Sequence, residues 1–194
     1  MKCLFIKLLI LIFPVFTLNS YGQSFELSDE GNEVLIHGTS NLHDWEMNVI
    51  SSNCEAEFDT EGSQVRSVKK VNFSCKPADI KSDYSLMDRK THAALKADVF
   101  QVIKFNLLTI TELISDNREF KGNLKGNLYI AGITNEVEVP FTGILNGDNT
   151  INVEGSFDLR MSDFNITPPT AILGTLKTGD KISISFSLKL ISKT

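Results

Sequence analysis

Ile182-Ser183-Ile184-Ser185-Phe186-Ser187-Leu188-Lys189-Leu190 alternates apolar and polar residues without a fault. Side chains along a β-strand point to opposite faces in turn, so this stretch has one dry face and one wet face. A strand buried on both faces of a parallel sheet would read as a continuous apolar run instead. The stretch therefore specifies an antiparallel sheet wrapped around an apolar interior. Packed side chains or a ligand could fill that interior, and the two make different proteins.

Further strands are expected near 25–28, 33–39, 44–58, 65–76, 102–114, 118–131, 135–145 and 150–160, with the last over 181–192. Glycine, asparagine and aspartate mark the turns between them, as at Asn146-Gly147-Asp148-Asn149 and Thr178-Gly179-Asp180. Strands at this spacing make a sandwich or a barrel. Gly122 and Gly126 fall inside a strand pattern, where glycine marks a bend or bulge. One segment breaks the rhythm. Ser85-Leu86-Met87-Asp88 reads as an N-cap with an acid three residues on, and helix formers follow. A helix is expected over 86–97, with Met87, Ala94 and Leu95 as its apolar stripe and His92 facing solvent. Such a helix plugs a barrel end or shields an edge strand. Ile166-Thr167-Pro168-Pro169-Thr170 lacks two backbone donors and reads as a loop.

The N-terminus reads as a secretory signal peptide over 1–22. Lys2 and Lys7 precede or flank a short apolar stretch broken by Pro14, and Ser20-Tyr21-Gly22 places cleavage before Gln23. That leaves one domain over 23–194, periplasmic or secreted, with no membrane span in the mature chain. The full chain carries a net charge of −5, and loss of the two signal lysines makes it more negative. An acidic exported protein of this kind is a poor partner for nucleic acid or anionic head groups. Cys54 and Cys75 survive processing. An even count in an oxidising compartment, on apolar faces of neighbouring strands, leads to an expected Cys54–Cys75 disulfide; two buried free thiols are the alternative.

Chemistry-bearing residues are sparse. His37, His43 and Asp44 are the one tight group of ligand types, and zinc or copper needs three or four converging donors. On one extended strand the two histidines would lie about 20 Å apart at ~3.3 Å per residue. A turn through Gly38-Thr39-Ser40-Asn41 could bring them together, but a hydrogen-bonded imidazole in a His43-Asp44 turn is the stronger explanation of His43. Ser40 near His43 is the nearest nucleophile pair, without an elbow motif or an oxyanion site. No catalytic residue, metal site or cofactor is assigned. Large apolar side chains on one face are abundant instead. The residues expected to line the interior are Trp45, Met47, Phe73, Leu95, Phe100, Phe105, Ile130, Val139, Phe141, Phe157, Phe164, Ile184 and Phe186. A barrel of about eight strands either fills with such side chains or holds one small apolar ligand.

Met87-Asp88-Arg89-Lys90-Thr91-His92-Ala93-Ala94-Leu95-Lys96-Ala97-Asp98-Val99-Phe100, followed by Ile103-Lys104-Phe105, resembles the helix-to-strand segment of the YceI-like family. Leu128-Tyr129-Ile130-Ala131-Gly132-Ile133-Thr134 with Val137-Glu138-Val139 is similar to its hairpin. Met161-Ser162-Asp163-Phe164-Asn165-Ile166 and Gly179-Asp180-Lys181-Ile182 resemble two more of its elements, in the same order. Met161 and Asn165 stand where arginine and glycine are usual, and asparagine suits position 165 if it needs positive φ. The resemblance implies an all-β, lipocalin-like antiparallel barrel of about eight strands with one short helix near its mouth. It further implies a periplasmic carrier of a long-chain lipid, a polyisoprenoid or isoprenoid quinone, and not an enzyme. The helix over 86–97 and the loop over 165–175 are then the expected mouth. Two other readings stand beside it: a packed barrel that engages a protein partner, and a metal-dependent enzyme using His37, His43 and Asp44. A homodimer is left open.

Overall fold

In the computed structural model the alternation becomes a closed wall. Residues 22–171 and 174–193 are described; the expected signal peptide lies outside them apart from Gly22. In chain order the strands are β1 Gln23–Leu27, β2 Glu33–Ser40, β3 Trp45–Val49, β4 Ser52–Glu61, β5 Gln64–Cys75 and β6 Ile80–Lys81. Helix α1 follows at Ser85–Ala94, then β7 Ile103–Asp116, β8 Glu119–Ile130, β9 Ile133–Leu145, β10 Thr150–Arg160, β11 Thr170–Ala171 and β12 Leu176–Ser192. Antiparallel pairing runs β1–β4–β5–β7–β8–β9–β10–β12, and β12 pairs back to β1 from Leu27↔Leu190 to Phe25↔Ser192. This is an eight-stranded antiparallel barrel, so the ring itself has no free edge.

Two of the eight wall positions are broken strands. β12 spans 17 residues. Its C-terminal end pairs with β1, while its middle pairs with β2, as in Ile184↔Ile36 and Ser187↔Glu33. β3 pairs with β2 and β4 with β1, so the stretch expected as one strand over 44–58 is two, parted at Ile50-Ser51. The physical reason is a change of phase. Inward residues are Trp45, Met47 and Val49 before the break and Cys54, Ala56 and Phe58 after it. A change from odd to even cannot be accommodated on one regular strand.

Inward glycines make room for rings from the next strand. A Cβ on Gly126 would lie 2.5 Å from the Phe105 ring, and one on Gly143 would lie 2.3 Å from that of Phe120. Register shifts on β7 fall beside Gly126 and Gly122, so the expected bulges form on the partner strand.

α1 is shorter than expected and capped differently. Ser85 is its first residue, Tyr84 occupies the N-cap without a side-chain bond, and the Asp88 carboxylate reaches back to accept from the Ser82 N–H and hydroxyl, each at 2.8 Å. The helix stops at Ala94 because Lys96 turns to φ 52°. His92 does not face free solvent: its Nε2 donates to the Ile80 carbonyl at 2.9 Å, tying α1 to β6.

The topology gives the barrel two different ends. The β4–β5, β7–β8 and β9–β10 turns gather at one end, which is the floor. The β2–β3 turn, α1, the β8–β9 hairpin and the 161–176 segment gather at the other, which is the mouth. Phe25, Phe58, Phe120 and Phe141 form a chain of edge-to-face rings across the floor, with centroids 5.5, 5.8 and 5.9 Å apart in sequence.

Candidate functional site

The barrel is hollow. A cavity of about 660 Å³, within the range of small-molecule sites, runs from Phe58 and Phe141 at the floor to Leu42, Tyr84 and Leu86 at the mouth. The inward row of β12 records its shape. Leu190 is 2% exposed and Leu188 8%, whereas Phe186, Ile184 and Ile182 nearer the mouth are only half-buried although they point inward. A packed interior would bury all five, so the reading of a filled barrel is overturned.

Twelve of the thirteen expected lining residues border the cavity: Trp45, Met47, Phe73, Leu95, Phe105, Ile130, Val139, Phe141, Phe157, Phe164, Ile184 and Phe186. Phe100 does not. Its ring lies over Gly132, where a Cβ would come within 2.6 Å. Ala131 and Gly132 both have positive φ, the two-residue turn that joins β8 to β9, and the ring takes the space this leaves. α1 presents Met87, Thr91, Ala94 and Leu95 inward, at helical spacing, as expected of its stripe. The Thr91 hydroxyl donates to the Met47 thioether at 3.3 Å, a weak acceptor. Across the mouth Asn165 takes φ 54° and ends the turn Met161–Phe164, as its place in the family element implies. The 165–175 segment is not wholly irregular, since Thr170 pairs with Lys177.

Polarity is confined to the mouth. Ser40, His43, Lys90, Thr91, Arg160, Thr170 and Thr178 border the cavity there, and among the described residues no aspartate or glutamate borders it. Sequence patterning missed this rim. Its one legible signal is Lys90, three residues from Met87 and four from Ala94, on the apolar stripe itself.

Cys54 and Cys75 are both buried against the cavity as free thiols, in place of the expected disulfide. The register explains it: Cys54 faces Phe73 and Cys75 faces Ser52. The two are diagonal neighbours, whose Cα atoms lie about 7–8 Å apart and at the limit of a disulfide's reach. Burial pushes each thiol up to about 12, so both are protonated and inert near neutrality.

The histidines do not converge. His37 is on the outer wall, with Nδ1 3.2 Å from Glu46 and Nε2 3.1 Å from the Ser185 hydroxyl. His43 sits in the β2–β3 turn and donates from Nδ1 to the Asp44 carbonyl at 2.7 Å. Ser40 braces the same turn, donating to the His43 carbonyl and accepting from the Leu42 and His43 N–H groups. Among the described residues no group of three or more His, Cys, Asp or Glu could hold a metal ion, so the metal constellation is not assembled. No described helix is long and apolar enough to cross a membrane.

Fold and cavity together define a class: a closed antiparallel barrel that keeps an apolar hollow open at one end. A YceI-like domain profile matches residues 33–190, and the chain belongs to the YceI-like family. No curated protein matches the sequence. Among solved structures, a polyisoprenoid-binding domain of Saccharophagus degradans superposes with a TM-score of 0.67 at 8% identity, covering 88% of this chain and 99% of that one. BcnA of Burkholderia cenocepacia gives 0.64 at 18%, covering 81% and 95%. The YceI protein of Campylobacter jejuni gives 0.61 at 18%, covering 76% and 84%. At these identities the likeness is one of fold.

Proposed function

We propose that this chain is an exported carrier that holds one long-chain apolar lipid, of polyisoprenoid or isoprenoid-quinone type, inside the barrel. The observation that carries the reading is the apolar hollow of about 660 Å³ between the ring floor and the open mouth. Its walls offer a hydrocarbon chain dispersion contacts and no deep group that demands a hydrogen bond. Affinity comes from burying ligand surface, at roughly 25 cal/mol per Å² before ordering costs. The polyisoprenoid-binding neighbour supports this ligand class, and the signal-like residues 1–22 support export to the periplasm. The lining residues from Trp45 to Phe186 are binding residues, and no reaction is assigned to them.

Mass spectrometry of the full-length gene product, recovered from the periplasm without detergent, tests both parts. The expected result is a chain beginning at Gln23 with a co-purifying lipid. A barrel that carries no lipid and takes up no added isoprenoid overturns the reading.

A further inference from the structure

We infer that the lipid this barrel prefers carries an anionic head group, a carboxylate or a phosphate, which Lys90 holds at the mouth. The inference rests on the carrier reading and adds the chemistry of the ligand's polar end.

Lys90 is the starting point. On α1 it shares the inward face with Met87, Thr91 and Ala94, at spacings of three and four residues. An exposed lysine can equally sit on the solvent face of a helix; this one borders the cavity. Its stem can lie along the apolar wall while the ammonium stays at the level of water. It has no ion-pair partner among the described residues, although nine other basic–acidic contacts form elsewhere on the surface.

Arg160 sits at the end of β10 between inward Leu159 and inward Met161, so its side chain leaves from the outer face, 67% exposed, and it is not counted with Lys90. Its one acidic contact is Asp180 at 4.0 Å, too long for a hydrogen bond. The Thr91 hydroxyl, now spent on a thioether, is a second donor beside Lys90.

The sign of the rim is opposite to that of the chain. The protein is acidic overall, which argues against an anionic surface as a partner, yet among the described residues the border of the cavity includes Lys90 and no carboxylate. A neutral head group has no use for that arrangement and a cationic one would be repelled. An anion seated at the edge of a low-dielectric tunnel gains more from that cation than it would in water.

Matched probes separate the head group from the chain. Binding of oleic acid is compared with that of oleyl alcohol, and farnesyl phosphate with farnesol, by displacement of a fluorescent lipid. Each anion is expected to bind about tenfold tighter than its own alcohol, the scale of one charge-assisted hydrogen bond. The larger of the two ratios identifies carboxylate or phosphate as the preferred group. Lys90→Met, which keeps the stem, should remove most of that ratio and leave the alcohols unchanged, whereas Arg160→Gln on the outer face should leave it as it is. Equal binding of anion and alcohol in both pairs, or a ratio unchanged by Lys90→Met, overturns the inference while leaving the carrier reading intact. If none of the four probes binds, the carrier reading itself fails.

Discussion

The floor and the mouth of this barrel are built from the same alternating strands and do opposite work. At the floor, four phenylalanine rings meet edge to face in an unbroken chain, and Ile151 and Leu190 are almost fully buried on the adjoining wall. At the mouth, Leu42 and Tyr84 are each 70% exposed and Leu86 51%, although all three border the cavity. Dense packing at one end anchors the fold, so the other end can stay open. The inward row of β12 passes from one regime to the other within nine residues.

Substitutions can break this contrast. Phe58 touches both Phe25 and Phe120, so Phe58→Ala removes two ring contacts from a site that cannot collapse. It should cost about 3–5 kcal/mol in urea unfolding; a loss below about 1 kcal/mol would mean the floor is not the anchor. Phe157 is the same residue type on a wall that already faces the hollow. Having fewer partners to lose, Phe157→Ala should cost only about 1–2 kcal/mol in the same assay. Equal losses at the two sites would erase the distinction.

The thiols probe the wall between the ends. A folded thiol near 12 stays protonated where an unfolded one, near 9, ionises. Above about pH 9 the unfolded chain therefore binds fewer protons than the folded one, and stability must fall as pH rises towards 12. By pH 10 the loss should reach roughly 1 kcal/mol per thiol, measured as a lowered urea midpoint that a double Cys→Ala variant does not share. At pH 8 iodoacetamide should leave both untouched, and with rising pH should reach Cys75 before the more deeply buried Cys54. The smallest effect belongs to the rim. Leu42→Ser should shift stability by less than about 0.5 kcal/mol while slowing lipid uptake, because the side chain is exposed but borders the opening.

Much of this was legible in the residues. The alternation from Ile182 to Leu190 specified a wall with a dry inner row, and all five apolar residues of that row border the cavity. The break at Ile50 was also written there, in the change from odd to even inward positions, but a run with apolar residues in both phases looks continuous until its partner strands are known. Hollowness was not legible. Phe157 and Phe58 are the same letter and both border the cavity, and only the neighbouring rings of the folded floor make Phe58 the packed one. The disulfide failed for a related reason: sharing a face is a property of each strand, while sharing a rung depends on a register that sequence spacing does not fix. Phe100 was lost to a neighbour, since the space over Gly132 exists only once the hairpin has formed.

β12 has a consequence for the order in which the molecule can form. It pairs on one edge with β10, which precedes it closely, and on the other with β1 and β2, from the far end of the chain. Contacts that distant in sequence form slowly, because a long loop must close before they repay its entropy. Until β12 arrives, the other seven strands of the ring can form only an open sheet, with bare hydrogen-bonding edges at β1 and β10 and a dry face exposed to anything apolar nearby. The strand that completes the wall is made after every other strand in the ring.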